Sequence, residues 1–302
     1  MQIIFPAKAS SELEGLHFLS VRTGALLTFD SSGADPSANN EHFRTGTCID
    51  LRASGSRQLD SEPYKARIRE IADPCPAGAP LLVVDLRQEC HLYFDGRAVS
   101  WYAEKDWSNV GQSLDWILAD EQAKLTMVAK FPRMQIFQLK KAAEDRIDIV
   151  SQSWLEVREG QTEAQLLAAI GMGEKLKYVR VPVTDHCAPD WDSLKIFFDA
   201  LHDMPAPAWV HFHCHGGDGR TTSFMAIYDM ICWRRNHPDQ PIPALECFSR
   251  RQQSLFSYDL DPMHADPLDW KYPLAVARWQ CLDFLRGWIG CGGFERWPRS
   301  AV

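Results

Sequence analysis

The stretch His213-Cys214-His215-Gly216-Gly217-Asp218-Gly219-Arg220-Thr221-Thr222 constrains this chain more than any other. Ahead of it, Ala208-Trp209-Val210-His211-Phe212 is short, apolar and aromatic, the pattern of a buried strand. Behind it, Thr222 to Trp233 is apolar almost all round, the pattern of a buried helix. Arg234, Arg235, Asn236 and Pro238 then supply stop signals. A strand, a glycine-rich loop and a helix N-terminus thus follow one another, with a cysteine opening the loop.

The chemistry of such a loop is specific. Amides in the first turn of a helix have no internal partner, and with the helix dipole they form an anion site. Gly216, Gly217 and Gly219 let successive N–H groups curl round one phosphate. Arg220 can fork two donors onto phosphate oxygens. Cys214 faces the same positive field, which suits a nucleophile, and the Thr221 hydroxyl is placed to hydrogen-bond the sulfur. Cys-x5-Arg-Thr is a covalent phosphate-transfer site in outline.

Rival readings explain less. Gly217-x-Gly219-x-x-Thr222 approaches a dinucleotide fingerprint but lacks the third glycine and leaves the cysteine and arginine idle. His211, His213, Cys214 and His215 suggest zinc, yet strand alternation sends Cys214 to the face opposite the histidines, and no second ligand pair follows. A plain strand–turn–helix with a buried cysteine leaves Arg220 and the glycines unexplained.

His-Cys-x-x-Gly-x-Gly-Arg-Thr-Thr resembles the protein-tyrosine-phosphatase superfamily, and within it the bacterial PTP-like inositol phosphatases, the cysteine phytases. Phe43-Arg44-Thr45, Asp85-Leu86-Arg87-Gln88-Glu89, Ser100-Trp101-Tyr102, Asp106-Trp107 and Thr184-Asp185-His186 resemble further family blocks in family order, so the likeness runs from about residue 41 to 280. The resemblance implies an α/β fold with a central, mostly parallel sheet flanked by helices and a small partial-barrel insert. It implies Cys214 as nucleophile, Arg220 with the loop amides of His215, Gly216, Gly217, Asp218 and Gly219 as the phosphate cradle, and Asp185 as general acid. Thr221 and His213 would assist, His213 by orienting the loop. Arg44, Asp106, His186, Lys271 and Arg278 would contact the substrate. No metal or organic cofactor is implied. The expected partner is a small inositol polyphosphate; a protein tyrosine phosphatase, or a protein that binds a phospholigand without turnover, are the alternatives.

The sequence departs from that pattern in three places. Ala188-Pro189 stands where the family often has Trp-Pro, Asp218 puts a carboxylate in the cradle, and Ala275 replaces a family tyrosine.

The rest of the chain fits one large or two small domains at 302 residues. The net charge of −8 argues against a nucleic-acid surface, so a polyanion would need locally gathered cations. No apolar run approaches a membrane span, and nine cysteines without framework spacing read as free thiols. Met1 to Leu19 show no signal-peptide pattern, which gives the expectation of a cytoplasmic location, or an exported one if the numbering is of a mature form.

In chain order, 31–40 reads as a loop and Pro80 to Val84 as a buried strand. Residues 90–102 read as a hairpin turning at Asp95-Gly96, and 111–130 as a helix. Tyr178 to Val183 alternates as a strand that delivers Asp185. Leu194, Phe197, Phe198 and Leu201 mark an amphipathic helix. This βαβα order predicts parallel strands, with Asp185 and Cys214 leaving their carboxyl ends. Arg250 to Gln253 reads as a solvated face, Trp270 to Arg286 as a last helix and Gly287 to Gly293 as a flexible tail. The domains expected are 1–43 with 107–302 for the phosphatase and 44–106 for the β-rich insert.

Overall fold

The computed structural model describes residues 25–30, 42–73, 79–141, 147–205 and 208–298. The expectations for Met1 to Leu19 and for the loop at 31–40 lie outside them. The strands are β1 (Leu26–Phe29), β2 (Arg44–Thr45), β3 (Ala53–Arg57), β4 (Leu81–Arg87), β5 (His91–Phe94), β6 (Arg97–Tyr102), β7 (Arg133–Lys141), β8 (Ile147–Glu156), β9 (Gly160–Gln161), β10 (Leu176–Val183) and β11 (Trp209–Cys214). The helices are α1 (Ser61–Ala72), α2 (Leu114–Lys130), α3 (Glu163–Ala168), α4 (Trp191–His202), α5 (Gly219–Asn236), α6 (Leu245–Leu255) and α7 (Tyr272–Gly290).

They form two compact units. One takes the described residues before position 33 and Gln88–Glu163; the other takes residues 33–87 and 164 onward. The first carries a six-stranded sheet in the order β8-β7-β1-β6-β5-β9. Its β5–β6 hairpin turns at Asp95 and Gly96, both with positive φ, as the Asp-Gly pair predicts. Leu27, Leu92, Phe94, Val99, Trp101, Ile117 and Ile136 form its core.

The second unit carries a five-stranded sheet in the order β10-β4-β11-β3-β2. The first four strands are parallel and β2 is antiparallel to β3, so the mostly parallel sheet is as expected. Strand β4 is buried along its whole length, the mark of a central strand covered on both faces. Phe197 of α4 packs edge-on against Phe212 of β11 and Phe224 of α5, so helices are sealed to the sheet through one aromatic cluster. Asp190 caps α4 by accepting from the Ser193 amide at 2.8 Å.

Three expectations change. Residues 44–106 are not one β-rich insert: β2, β3 and β4 join the parallel sheet through β11, and the small unit begins at Gln88. That stretch also holds helix α1, whose Tyr64, Ile68 and Ile71 form a buried stripe. The expected tail from Gly287 instead continues α7 to Gly290, with Ile289 fully buried.

Candidate active site

Cys214 is the last residue of β11 and Gly219 the first of α5, so the loop between them is clamped at both ends. The sulfur is buried, and it accepts hydrogen bonds from the Thr221 hydroxyl and the Gly217 amide, both at 3.2 Å. Gly217 has φ +78, and a Cβ there would lie 2.6 Å from the Arg57 nitrogen. No other residue fits that bend against β3.

The loop's carbonyls are held from the other side. Arg44 is buried; its guanidinium donates to the carbonyls of Gly217 and His42, and to the Thr222 hydroxyl at 2.9 Å. It also lies 4.6 Å over the Phe256 ring. Burial pushes its guanidinium down to about 10, and the opposing pull of Cys214 and Asp218 limits the fall. The resemblance puts Arg44 at the substrate; in the structure its Nη1 and Nη2 donors brace the loop. His42 Nδ1 lies 2.8 Å from the Gly216 carbonyl and 3.0 Å from Asp218 Oδ1.

Arg220 joins the loop to the neighbouring strand ends. Its Nη1 donates to the Val183 carbonyl at 3.1 Å, at the end of β10, and its Nε lies 3.1 Å from Asp185 Oδ1. Asp185 also meets His186 Nε2 at 3.2 Å. Asp185, two residues past the end of β10, and Arg220, in the first turn of the helix that follows β11, thus meet at the sheet's carboxyl edge, where open α/β sheets arrange their sites. Cys187, two residues past Asp185, is a different kind of thiol: burial, with Asp185 adding to it, pushes it up to about 12, so it stays protonated at neutral pH.

A cavity of about 190 Å³ opens beside the loop, lined by His186, Tyr258, Asp259, Asp269, Lys271 and Arg278 among others. Its wall touches the cradle: a Cβ on Gly219 would meet Arg278 Nη1 at 2.9 Å and the Tyr258 hydroxyl at 3.0 Å. Arg278 Nη2 donates to Tyr258 at 2.8 Å, and Nη1 to the His186 carbonyl at 3.4 Å. Lys271 sits at the start of α7, its ammonium 5.4 Å from the Trp270 ring. The structure therefore brings Lys271, Arg278 and His186 to one cavity, together with the three carboxylates of Asp259, Asp261 and Asp269.

His213 is fully buried on the face opposite Cys214, edge-on to Tyr64. The carbonyls of Cys214 and His215 accept from the Gln58 amide at 2.9 and 3.2 Å. Asp106 belongs to the other unit, buried on a short turn with φ +62. Sequence reasoning missed His42, Phe256 and Tyr258; only the position of His42 beside the Phe43-Arg44-Thr45 block pointed toward it.

The fold and the loop define a protein of the protein-tyrosine-phosphatase class. A family model for PTP-like phytases, described as "Inositol hexakisphosphate", matches residues 84–232, a span that holds the whole loop. A PTP-like phytase from Bdellovibrio bacteriovorus is 29% identical, with a TM-score of 0.66 over 89% of this chain and 90% of that one. The chain is similar to the PTP-like phytases in sequence over that span and in fold over most of its length. A PTP-like myo-inositol phosphatase from Mitsuokella multacida, solved in complex with myo-inositol-(1,3,4,5)-tetrakisphosphate, shares the fold with a TM-score of 0.73 at 23% identity, over 96% of this chain and 52% of that one. The effector protein hopD2 of Pseudomonas syringae pv. tomato is 29% identical over 201 residues, 65% of this chain and 40% of its own length. The chain thus spans about half or less of the length of these last two. Among the described residues, no helix is long and apolar enough to cross a membrane.

Proposed function

We propose that the chain hydrolyses phosphate monoesters of inositol polyphosphates through a phosphocysteine intermediate. The observation that carries this is the sulfur of Cys214, at the mouth of the α5 amides, accepting from Thr221 and Gly217 at 3.2 Å.

The Cys214 sulfur attacks phosphorus; the S–P bond forms as the bond to the ester oxygen breaks. The leaving alkoxide takes its proton from the carboxyl of Asp185. Water then attacks phosphorus, the S–P bond breaks, and Asp185 recovers a proton from that water. Arg220 and the loop amides hold the equatorial oxygens throughout, where charge shifts in the transition state. Thr221 stabilises the sulfur as it leaves in the second step.

The substrate class is supported by the matching family model and by Arg278 and Lys271 beside the cradle. Arg278 and Lys271 are the cations at this wall that would meet the other phosphates of a polyphosphate. A second reading, a phosphoprotein phosphatase, is favoured by Asp259, Asp261 and Asp269 in the same cavity, which oppose a very highly charged ligand. Phosphate release from inositol hexakisphosphate, measured beside a phosphotyrosine peptide, separates the two: preference for the inositol ester supports the first, sole turnover of the peptide the second.

A further inference from the structure

We propose that His42 is a positioning residue that holds the carboxylate of Asp218 off the phosphate cradle and so sets what the cradle accepts. This rests on the phosphate-binding reading given above.

The cradle contains a carboxylate between two of its glycines, where an anion is to bind. Left to itself, that group would compete with a phosphate for the amides of its own loop. The structure holds it at His42, on the side of the loop that the Gly216 carbonyl faces. Asp218 Oδ2 lies 3.2 Å from where a Cβ on Gly216 would be, so the side chain folds back over the loop. Its Oδ1 lies 3.0 Å from His42 Nδ1.

The tautomer of His42 follows from its partners. Nδ1 also lies 2.8 Å from the Gly216 carbonyl, which can only accept. Nδ1 therefore carries hydrogen, whatever the state of Nε2, and it donates to the carbonyl and the carboxylate together. The Gly216 carbonyl and the Gly217 amide point to opposite sides of one planar peptide. Pulling the carbonyl outward thus turns the amide inward, where it donates to the Cys214 sulfur at 3.2 Å. One imidazole orients a cradle amide and restrains the cradle's acid.

His42 is itself fastened on three sides. Its ring packs on Phe256 with centroids 5.0 Å apart. Its carbonyl accepts from Arg44 at 3.0 Å. Its backbone holds φ +48, a left-handed conformation that a non-glycine residue keeps only when its surroundings impose it.

The test uses the full chain carrying Cys214→Ser, and reads the Kd for inorganic phosphate by calorimetry. Adding His42→Ala should weaken binding about tenfold, the scale of one hydrogen bond to a charged group. Adding Asp218→Ala to that protein should recover most of the loss, because the freed carboxylate is its main cause. His42→Asn, which tolerates the left-handed backbone and keeps an N–H donor, should stay close to the starting affinity. Non-additivity of this kind distinguishes a restrained competitor from a merely destabilised loop. An unchanged affinity in His42→Ala, or a loss that Asp218→Ala does not recover, overturns the proposal. If the Cys214→Ser chain itself binds no phosphate, the cradle reading falls and takes the proposal with it; if it binds while the chain with Cys214 intact does not hydrolyse inositol hexakisphosphate, only the substrate assignment falls.

Discussion

Arg220 Nε and Asp185 Oδ1 stand 3.1 Å apart, so the cradle's arginine and the expected acid are ion-paired with each other. A phosphate entering the cradle competes with Asp185 for the same guanidinium. The carboxyl is then free to take up the proton that it must give to the leaving oxygen. Asp185→Asn should lower kcat by ~10²–10⁴ for alkyl phosphates, the usual span for lost general acid catalysis. Aryl phosphates, whose leaving groups need little protonation, should lose much less. Steady-state kinetics on both substrates check this; equal losses would remove Asp185 from the acid role.

The cavity beside Gly219 gives a second expectation. Arg278 is buried and hydrogen-bonded, whereas Lys271 is partly exposed. Arg278→Ala should raise KM for inositol hexakisphosphate about tenfold or more, as loss of a hydrogen bond to a charged group does. Lys271→Ala should raise it only about two- to fivefold, the scale of an exposed ion pair. Neither change should much affect KM for a small aryl phosphate. Raising salt should narrow the Lys271 effect first.

The helix that carries Arg220 is anchored at a buried carboxylate. Asp229 receives Arg251 through Nε at 2.9 Å and Nη2 at 3.0 Å, and Gln252 at 3.1 Å. Arg251→Ala leaves that charge short of its main partner and should cost about 2 kcal/mol in urea unfolding. Arg250→Ala, on the exposed side of α6 next to Arg251, should change stability by less than about 0.5 kcal/mol.

Alkaline pH should destabilise the fold through its buried thiols. Burial pushes Cys187 and Cys281 up to about 12, while an unfolded thiol titrates near ~8.5. Above that lower value the unfolded chain loses protons that the folded chain keeps, so stability falls as pH rises. The contribution is complete below about pH 8.5 and is lost between there and pH 12. Thermal melts at pH 7.5 and 10 should show the drop, and replacing Cys187 and Cys281 by Ala should remove part of it, the buried thiols of Cys90 and Cys232 being pushed up by burial as well.

Much of this was readable in the sequence because it is local. Strand, loop and helix around Cys214 lie within one short stretch, and the β10–α4–β11 order already brought Asp185 to the same sheet edge. The hairpin at Asp95-Gly96 was legible for the same reason. What the sequence hid depends on partners far along the chain. Arg44 reads as a ligand contact until Gly217 and Thr222 take up its donors. Arg251 and Gln252 read as a solvated run until Asp229 appears beneath them. Strand β3, Ala-Ser-Gly-Ser-Arg, has neither apolar alternation nor branched residues, and its place beside β11 follows from tertiary pairing alone. Helix α1 did carry its signal, in the spacing of Tyr64, Ile68 and Ile71.

The central claim is tested most directly by rapid acid quench of the full chain mixed with phosphate-labelled inositol hexakisphosphate. The account predicts a burst of acid-trapped label on the protein, mapped to Cys214, together with steady release of phosphate. It predicts neither from Cys214→Ser. Phosphate release that persists in Cys214→Ser, or labelling and turnover with a phosphotyrosine peptide but none with the inositol ester, would contradict it.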